Sequence, residues 1–590
     1  MIFSPDNLRI MAEKQHQDMA ALPEKEAERS STEKTPEYPD TTPADTKLST
    51  GDDKELGNVD APAAEDDDPD IYPHGLKLGL IILSLCLAIF LVALDQTIIA
   101  PALGAITATF NSVKDIGWYG ASYLLTTTAL QPIYGAIYKR FNVKWIFLGA
   151  VAIFEVGSVL TAAAPSSVVF IVGRAVAGIG CAGLFSGAIV ILSYTLPLHK
   201  RPLAFGLVGG MWGIASVAGP LVGGAFSTHV TWRWCFYINL PIGGIAMLVI
   251  LLTLRIPAER QNYNAEGLPW LRRLLQIDLL GASIFIPAIV CLLLAMQWGG
   301  AEYPWSNSRI IGLFCGAAAM LILFAGIQVW KGEGAVLPPR LFKDRNVACS
   351  MAFAFFFGGA IFPLIYYLSL YFQAIQGVTA VQAGIKILPL LLAMVVSSMV
   401  TGALISILGY YNYVSIPSMA LFAAGAGALV TLGLNTPMRE WFGFQVLAGL
   451  GVGVGFQLGA LVVQTVLGQE DVAVATACVQ FFQALGGALM IGAAQAVFQN
   501  GLIDGVNRDA LGIDAQIFIK SGADQVRPIL TRMGREDAIV PVLEAYMKGL
   551  RDTYYITLAC ALAAFVVCFG FEWKTVKQDK KKGGAVVAAV

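Results

Sequence analysis

From Leu78 onward the chain alternates long apolar stretches with short polar ones, and the apolar stretches keep near the ~20 residues that a helix needs to cross a ~30 Å hydrocarbon layer. The pattern predicts fourteen spans, numbered here in chain order: 78 to 100, 116 to 138, 144 to 164, 167 to 193, 203 to 228, 234 to 254, 278 to 298, 310 to 330, 347 to 373, 384 to 408, 413 to 434, 441 to 467, 472 to 498 and 553 to 573. Residues 1 to 75 show the opposite pattern. They are rich in Glu, Asp, Pro, Ser and Thr and close on the run Glu65, Asp66, Asp67, Asp68, Asp70, too polar to bury a core. A disordered, acidic cytosolic tail is expected there, because no short apolar segment follows a basic start as in a cleaved signal peptide.

Basic residues set the expected orientation. With the tail in the cytosol, the inner loops carry Lys139, Arg140, Lys144, Lys200, Arg201, Arg255, Arg260, Arg272, Arg273, Lys331, Arg340, Lys343 and Arg345, whereas the short outer loops carry only Lys114, Arg233, Arg309 and Arg439. An even span count returns the chain to the cytosol, where a basic tail, 576 to 590, follows. Residues 499 to 552 are expected to form a long, partly helical outer loop.

A repeat is visible within the chain. Ala177-Gly178-Ile179-Gly180 in span 4 matches Ala448-Gly449-Leu450-Gly451 in span 12, and Gly135-Ala136-Ile137 at the end of span 2 matches Gly402-Ala403-Leu404 in span 10. Each match shifts the span number by eight, which predicts six spans, an insert of two, and six more in the same orientation. The expected fold is therefore an all-α polytopic membrane protein, with an N-terminal half at 76–256, an inserted two-helix segment at 257–346 and a C-terminal half at 347–575.

Composition narrows the class. Of the 590 residues 56% are hydrophobic and 14% charged, against roughly a quarter charged in soluble domains. The net charge of −2 conceals 19 acidic and 7 basic residues up to position 75, leaving 22 acidic and 32 basic residues beyond it. So few charges over so long a body give no continuous basic face for nucleic acid. The nine cysteines fall mostly inside apolar runs with no CxxC pair, and His16, His74, His199 and His229 form no metal-binding spacing. No metal or other cofactor is expected, and no enzyme. The absence of Gly-x-x-x-x-Gly-Lys-Ser/Thr argues against an ATP-driven pump.

Span 5 reads Gly209-Gly210-Met211-Trp212-Gly213-Ile214-Ala215-Ser216-Val217-Ala218-Gly219-Pro220-Leu221-Val222-Gly223-Gly224. Glycines four apart let a neighbouring helix approach backbone to backbone, and Pro220 removes an intrahelical hydrogen bond. This run resembles the antiporter motif of the major facilitator superfamily. Leu94-Asp95-Gln96-Thr97-Ile98-Ile99-Ala100-Pro101 resembles the first-helix signature of its drug:proton antiporters, and Trp232-Arg233-Trp234-Cys235-Phe236-Tyr237-Ile238-Asn239-Leu240-Pro241-Ile242-Gly243 is similar to the fourteen-helix branch. Leu337-Pro338-Pro339-Arg340-Leu341-Phe342 and Tyr367-Leu368-Ser369-Leu370-Tyr371-Phe372-Gln373 resemble fungal toxin and multidrug exporters. The likeness covers 76 to 575. In the loop after span 2, Gly135, Arg140 and Lys144 fit the family's Gly-x-x-x-Asp-Arg-x-Gly-x-Lys, but Lys139 stands in place of the acid and Asn142 in place of the second glycine. The resemblance makes this the gating loop, with its charge relay altered.

Ionisable residues inside spans need a partner or a watery crevice. Asp95, Glu155 and Arg174 are the candidates for proton coupling, and Arg174 with Gly178 and Gly180 matches the family's Arg-x-x-x-Gly-x-Gly motif. Burial raises a carboxylic acid's pKa and a nearby guanidinium lowers it, so a movement that changes either loads or releases a proton. Either carboxylate fits that role. The substrate path is expected between the halves, with Trp118, Tyr123, Gln131, Gln373, Gln457, Gln464, Gln480 and Gln483 as candidate lining. The resemblance implies a monomeric, proton-driven exporter of small hydrophobic compounds in the plasma or vacuolar membrane. A proton-coupled importer of the same fold, such as a siderophore carrier, and a non-transporting sensor or membrane enzyme stand as alternatives.

Overall fold

The structure is a computed structural model, and it describes residues 72–112, 115–256, 278–300, 303–509, 513–515, 517–518 and 525–577. The expectations for the acidic tail short of Tyr72, for Lys114, Arg260, Arg272 and Arg273, and for the basic tail beyond Lys577 lie outside the described residues. Each predicted span is a helix or an interrupted pair of helices: Gly75–Thr97 (span 1), Ile116–Arg140 (2), Val143–Ala162 (3), Ser167–Thr195 (4), Arg201–His229 (5), Trp234–Tyr237 with Asn239–Thr253 (6), Leu279–Trp298 (7), Ser308–Lys331 (8), Arg345–Ala374 (9), Ala380–Lys386 with Leu388–Leu408 (10), Asn412–Val430 (11), Met438–Val452 with Gly455–Val466 (12), Gln469–Asp509 (13) and Ile539–Cys568 (14). Thirteen are both long and apolar enough to cross a membrane. The remaining one, span 2, has 25 residues, ample length, but is more polar, and its Thr127, Thr128 and Gln131 turn out to face the central cavity.

Side chains that cap the first free N–H groups fix where several spans begin. Asp344 accepts from the amides of Asn346 and Val347 at 2.8 and 3.2 Å ahead of span 9, and Asp278 accepts from Gly281 at 2.7 Å ahead of span 7.

The repeat seen in the sequence reappears as equivalent packing. In the first half a Cβ on Gly180 would overlap the backbone of Ala150 and Phe154, and one on Gly157 would overlap Ala177. In the second half Gly451 faces Ser418 and Phe422, and Gly425 faces Ala448. Spans 3 and 4 thus pack as spans 11 and 12 do. Across the halves the exchange is reciprocal, since Gly135 of span 2 meets Val474 and Ala477 of span 13, while Gly402 of span 10 meets Pro202 and Gly206 of span 5. Shifting span numbers by eight converts one contact into the other. The inserted pair lies outside this exchange, with Phe285, Ile289 and Leu293 of span 7 buried against Ala121 and Leu125 of span 2 and Phe481 of span 13.

Among the described residues, four hydrogen bonds join the halves: Lys139 Nζ to Asp471 Oδ1 at 2.9 Å, Arg201 Nη1 to Gln464 Oε1 at 3.3 Å, Ser398 Oγ to the Gly206 carbonyl at 2.9 Å and Gln469 Nε2 to Ser193 Oγ at 3.1 Å. All lie toward the face where span 1 starts and span 14 ends, the tail face hereafter.

Spans 13 and 14 run past their expected limits. The first has 41 residues, or about 60 Å at 1.5 Å per residue, and the second 30 residues, beginning at Ile539 instead of 553. Much of the expected outer loop is thus a continuation of the two spans, with Gly505 packed against Ala545 and Phe498 against Tyr546 at a ring separation of 5.6 Å. Hydropathy falls where the helices leave the hydrocarbon, but small residues at the contact keep them paired.

Overpacking at the repeated contacts should be costly to similar extents. Gly180→Val and Gly451→Val are each expected to destabilise the purified protein by about 1–3 kcal/mol, while Gly149→Val and Gly443→Val, whose Cβ positions meet nothing within 4 Å, leave the thermal melt in detergent unchanged.

Candidate functional site

A cavity of ≈ 450 Å³ lies between the halves, lined by spans 1, 2, 4, 5, 9, 10, 12 and 13. Volumes of ~300–1,000 Å³ suit small organic ligands. Its aromatic wall spans both halves: Trp212 of span 5 stacks on Phe456 of span 12 at 5.5 Å and meets Phe362 of span 9 edge-on at 6.0 Å. Among the described residues that line it none is charged. Its polarity comes from Gln96, Gln131, Gln373, Gln480 and Gln483 with a few hydroxyls, and Gln131 Oε1 and Gln480 Nε2 have no hydrogen-bond partner. Unpaired amide atoms in an apolar chamber are available to a ligand that brings one donor or acceptor.

Four of the eight expected lining residues, Gln131, Gln373, Gln480 and Gln483, border this cavity. The other four lie elsewhere. Trp118 packs edge-on against Trp298 of span 7, Tyr123 gives its ring to Arg174, Gln457 borders a small crevice with Gly206 and Ser398, and Gln464 accepts from Arg201. Trp212, Phe362, Tyr366 and Phe456, which do line the cavity, were not among the expected residues. Trp212 sits within the glycine-rich run quoted above, and nothing in that run tells which way its ring points.

Span 5 uses its glycines on two sides. Gly209 and Gly213 admit Ser398, Met394 and Val395 of span 10, whereas Gly219 and Gly223 admit Thr97, Ile98 and Pro101, and Gly224 lies beside Val381. Thr97 Oγ1 donates to the Ala215 carbonyl at 3.2 Å, and Pro220 lines the cavity. The helix therefore meets span 10 of the opposite half along its length, at Gly209 and Gly213 and again at Pro220 and Gly224, and packs on span 1 of its own half through Gly219 and Gly223.

The three ionisable candidates come together in the first half, outside the cavity. Arg174 Nη1 pairs with Asp95 Oδ2 at 2.5 Å, Arg174 Nε donates to the Tyr119 carbonyl at 3.1 Å, and the guanidinium lies over the Tyr123 ring at 4.4 Å. Asn239 Nδ2 donates to Asp95 Oδ1 at 3.2 Å and to Ser158 Oγ at 3.1 Å. Asp95 and Arg174 are sealed from solvent at 0% and 1% exposure. Each charge is paired and supplied with further hydrogen bonds, the condition under which a buried ion pair is tolerated. Glu155 differs. It is buried, neither carboxylate oxygen has a hydrogen-bond partner, and its carboxylate occupies the space left by the absent side chain of Gly243. Asn239 and Gly243 were quoted in the span 6 motif without a role, and the structure turns both toward the two acids. Arg233 anchors that motif through the carbonyls of Ala162 and Ala164 at 2.5 and 3.0 Å.

In the loop after span 2, Arg140 Nη1 and Lys144 Nζ donate to the carbonyls of Ala136 and Leu251 at 3.2 and 2.7 Å, and Gly135 packs on span 13. Asn142 has φ −59° and accepts from the Lys144 amide at 3.0 Å, so it caps span 3 and no glycine is needed there.

Two similarly packed half-bundles with a neutral chamber between them define a secondary transporter, in which each half moves about a ligand held near the middle. The chain belongs to the Major Facilitator Superfamily, whose family model matches residues 85–491. It is 47% identical over 506 residues to the MFS-type efflux pump MFS1 of Trichophyton rubrum, a match that covers 86% of this chain and 93% of that protein. It is 45% identical over 509 residues to the efflux pump aflT of Aspergillus parasiticus (86% and 97%), and 43% identical over 510 residues to the rubrofusarin-specific efflux pump aurT of Gibberella zeae (86% and 92%). Among solved structures it shares its fold with the proton:xylose symporter XylE, at a TM-score of 0.54 and 14% identity over 85% of this chain and 97% of that one. The human organic anion transporter MFSD10 gives a TM-score of 0.52 at 13% identity, over 83% and 100%. The protein is a multi-pass membrane transporter and not an enzyme.

Removing one partner of the buried pair leaves an uncompensated charge. Arg174→Leu is expected to cost about 3–5 kcal/mol of stability, and Asp95→Asn added to it should recover most of that loss. Comparing the single and double variants by thermal unfolding in detergent checks the coupling.

Proposed function

We propose that this transporter exports small, hydrophobic, largely uncharged organic molecules, such as toxins, drugs or secondary metabolites, in exchange for protons. The observation that carries the reading is the chamber between the halves, with its aromatic and aliphatic walls, unpaired amides and no charged lining among the described residues. A charged substrate would find no counter-ion there, whereas a flat neutral one finds Trp212, Phe456 and Phe362. The relatives named as efflux pumps support the outward direction. The excess of basic residues at the tail face supports a cytosolic assignment for that face; in this reading the transporter works as a monomer in the plasma membrane, with the vacuolar membrane as the alternative.

Glu155 is the proton carrier in this reading, and the Asp95–Arg174 pair is the fixed charge it works against. An ionised carboxylate with no donor, buried among helices, costs far more than its neutral acid. What supports Glu155 over Asp95 is that Asp95 is already held by Arg174 and Asn239. No cofactor takes part.

The test is reconstitution. Purified protein in liposomes with an imposed pH gradient should move a neutral polycyclic aromatic compound against the proton flow, and collapse of the gradient by an uncoupler should stop it. Glu155→Gln should lose gradient-driven movement while still binding the compound, read by quenching of tryptophan fluorescence. Movement with the proton flow would make the protein an importer, and full gradient-driven export by Glu155→Gln would remove Glu155 as the carrier.

A further inference from the structure

The sequence departs from its family at Lys139, and the structure supplies the missing acid from the opposite half. Lys139 Nζ donates to Asp471 Oδ1 at 2.9 Å. Asp471 lies in the first turn of span 13, where the helix dipole also favours an anion. It is shared: Arg340 Nη2 donates to both of its oxygens, at 2.9 and 2.7 Å, and Arg340 Nε pairs with Glu333 at 2.9 Å. Just below, Gly135 is packed against Val474 and Ala477.

Arg340 reaches this point from the inserted pair. It lies on the short helix Pro339–Lys343, which Leu341 anchors by burial. The preceding strand of chain is tied to the insert, because Gln328 of span 8 accepts from the Leu337 amide at 2.9 Å and donates to Asp278 at 2.9 Å, and Lys331 donates to the same Asp278 at 2.6 Å. Hydrogen bonds therefore tie the segment just before Arg340 to the start of span 7 and the end of span 8, and Arg340 itself reaches the contact between spans 2 and 13.

We infer that Asp471 is the shared acceptor of a clamp of inverted polarity, closed by Lys139 from one half and Arg340 from the insert, which holds the tail face shut and makes the inserted pair part of the transport cycle. Opening the cavity to the tail face separates span 2 from span 13, and Lys139 and Asp471 sit on opposite sides of that parting. The arrangement gives an opposite-charge contact where the family's acid at position 139 would set two carboxylates together. Lys139→Asp, which restores the family's residue, is thus the most disruptive change at this site. The inference does not depend on what drives the cycle.

The test uses the full chain in nanodiscs with spin labels at Leu76→Cys and Ile407→Cys, exposed positions near the tail face on the two halves, in a background carrying Cys315→Ser. Pulsed dipolar spectroscopy should give mainly the short separation in the parent. Lys139→Gln and Arg340→Gln should each raise the long-separation population by roughly two- to fivefold, the range of partly exposed ion pairs. Lys139→Asp should raise it further, and Asp471→Asn added to Lys139→Asp should reverse most of that increase. A parent-like distribution for Lys139→Asp would overturn the clamp. A shift with Lys139→Gln but none with Arg340→Gln would overturn the role of the insert.

Discussion

Helices already surrounded by hydrocarbon have no water to expel when they meet, so their assembly rests on close packing and on polar groups that must find partners inside the bundle. That constraint organises this molecule. Where Gly180, Gly157, Gly451 and Gly425 omit a side chain, spans 3 and 4 or 11 and 12 come together backbone to side chain. Where Gly135 and Gly402 do so, the halves themselves meet. The glycines fix distance and register without fixing charge, and the few ionised groups are then placed in the geometry they create.

The charges divide into two kinds. Asp95 and Arg174 are enclosed, mutually paired and bonded to Asn239 and the Tyr119 carbonyl. Lys139, Asp471 and Arg340 form a network at the tail face, in which the arginine side chain is about half exposed, at 48%, and the shared carboxylate is nearly buried, at 11%. The first kind is expensive to break, because an orphaned charge would remain in the bundle; the second is less so, because its lysine and arginine already reach water and Asp471 keeps one cation when the other leaves. A transporter needs both: a fixed polar element that survives every state, and contacts between halves that are made and unmade.

Much of the architecture was legible in the sequence because hydropathy and glycine spacing report directly on membrane thickness and helix approach. All fourteen spans were found, including span 2, whose lower hydropathy reflects the cavity it lines. The extension of spans 13 and 14 was not read, since hydropathy reports where a helix leaves hydrocarbon and is silent about where its hydrogen bonding stops. Among the expected lining residues, Gln131 faces the cavity and Gln464 faces Arg201, because which side of a span meets the cavity is set by partners distant in sequence. Asn239, Gly243 and Asp471 gain their roles from partners distant in sequence. Only Lys139, through its departure from the family pattern, hinted that an acid was to be sought elsewhere.

The acid site and the cavity share helices but hardly share side chains. On span 1, Asp95 belongs to the ion pair and the next residues, Gln96 and Thr97, line the chamber. On span 2 the Tyr123 ring supports Arg174 while Leu124 and Thr127 line the chamber, and on span 4 Arg174 is followed two turns later by Cys181 and, one turn beyond, Phe185 at the chamber wall. In the proton-exchange reading proposed above, a change of protonation near Asp95 and Glu155 does not reach a ligand by direct contact with the acids. In that reading it acts through spans 1, 2 and 4, each of which presents one face to the acids and another to the cavity. Span 2 carries Lys139 at its far end, so the same movement would load or release the contact with span 13. The three sites are thus related through span 2, which carries Pro132 between its cavity-lining residues and Lys139, and through the contacts that Lys139 makes at its end.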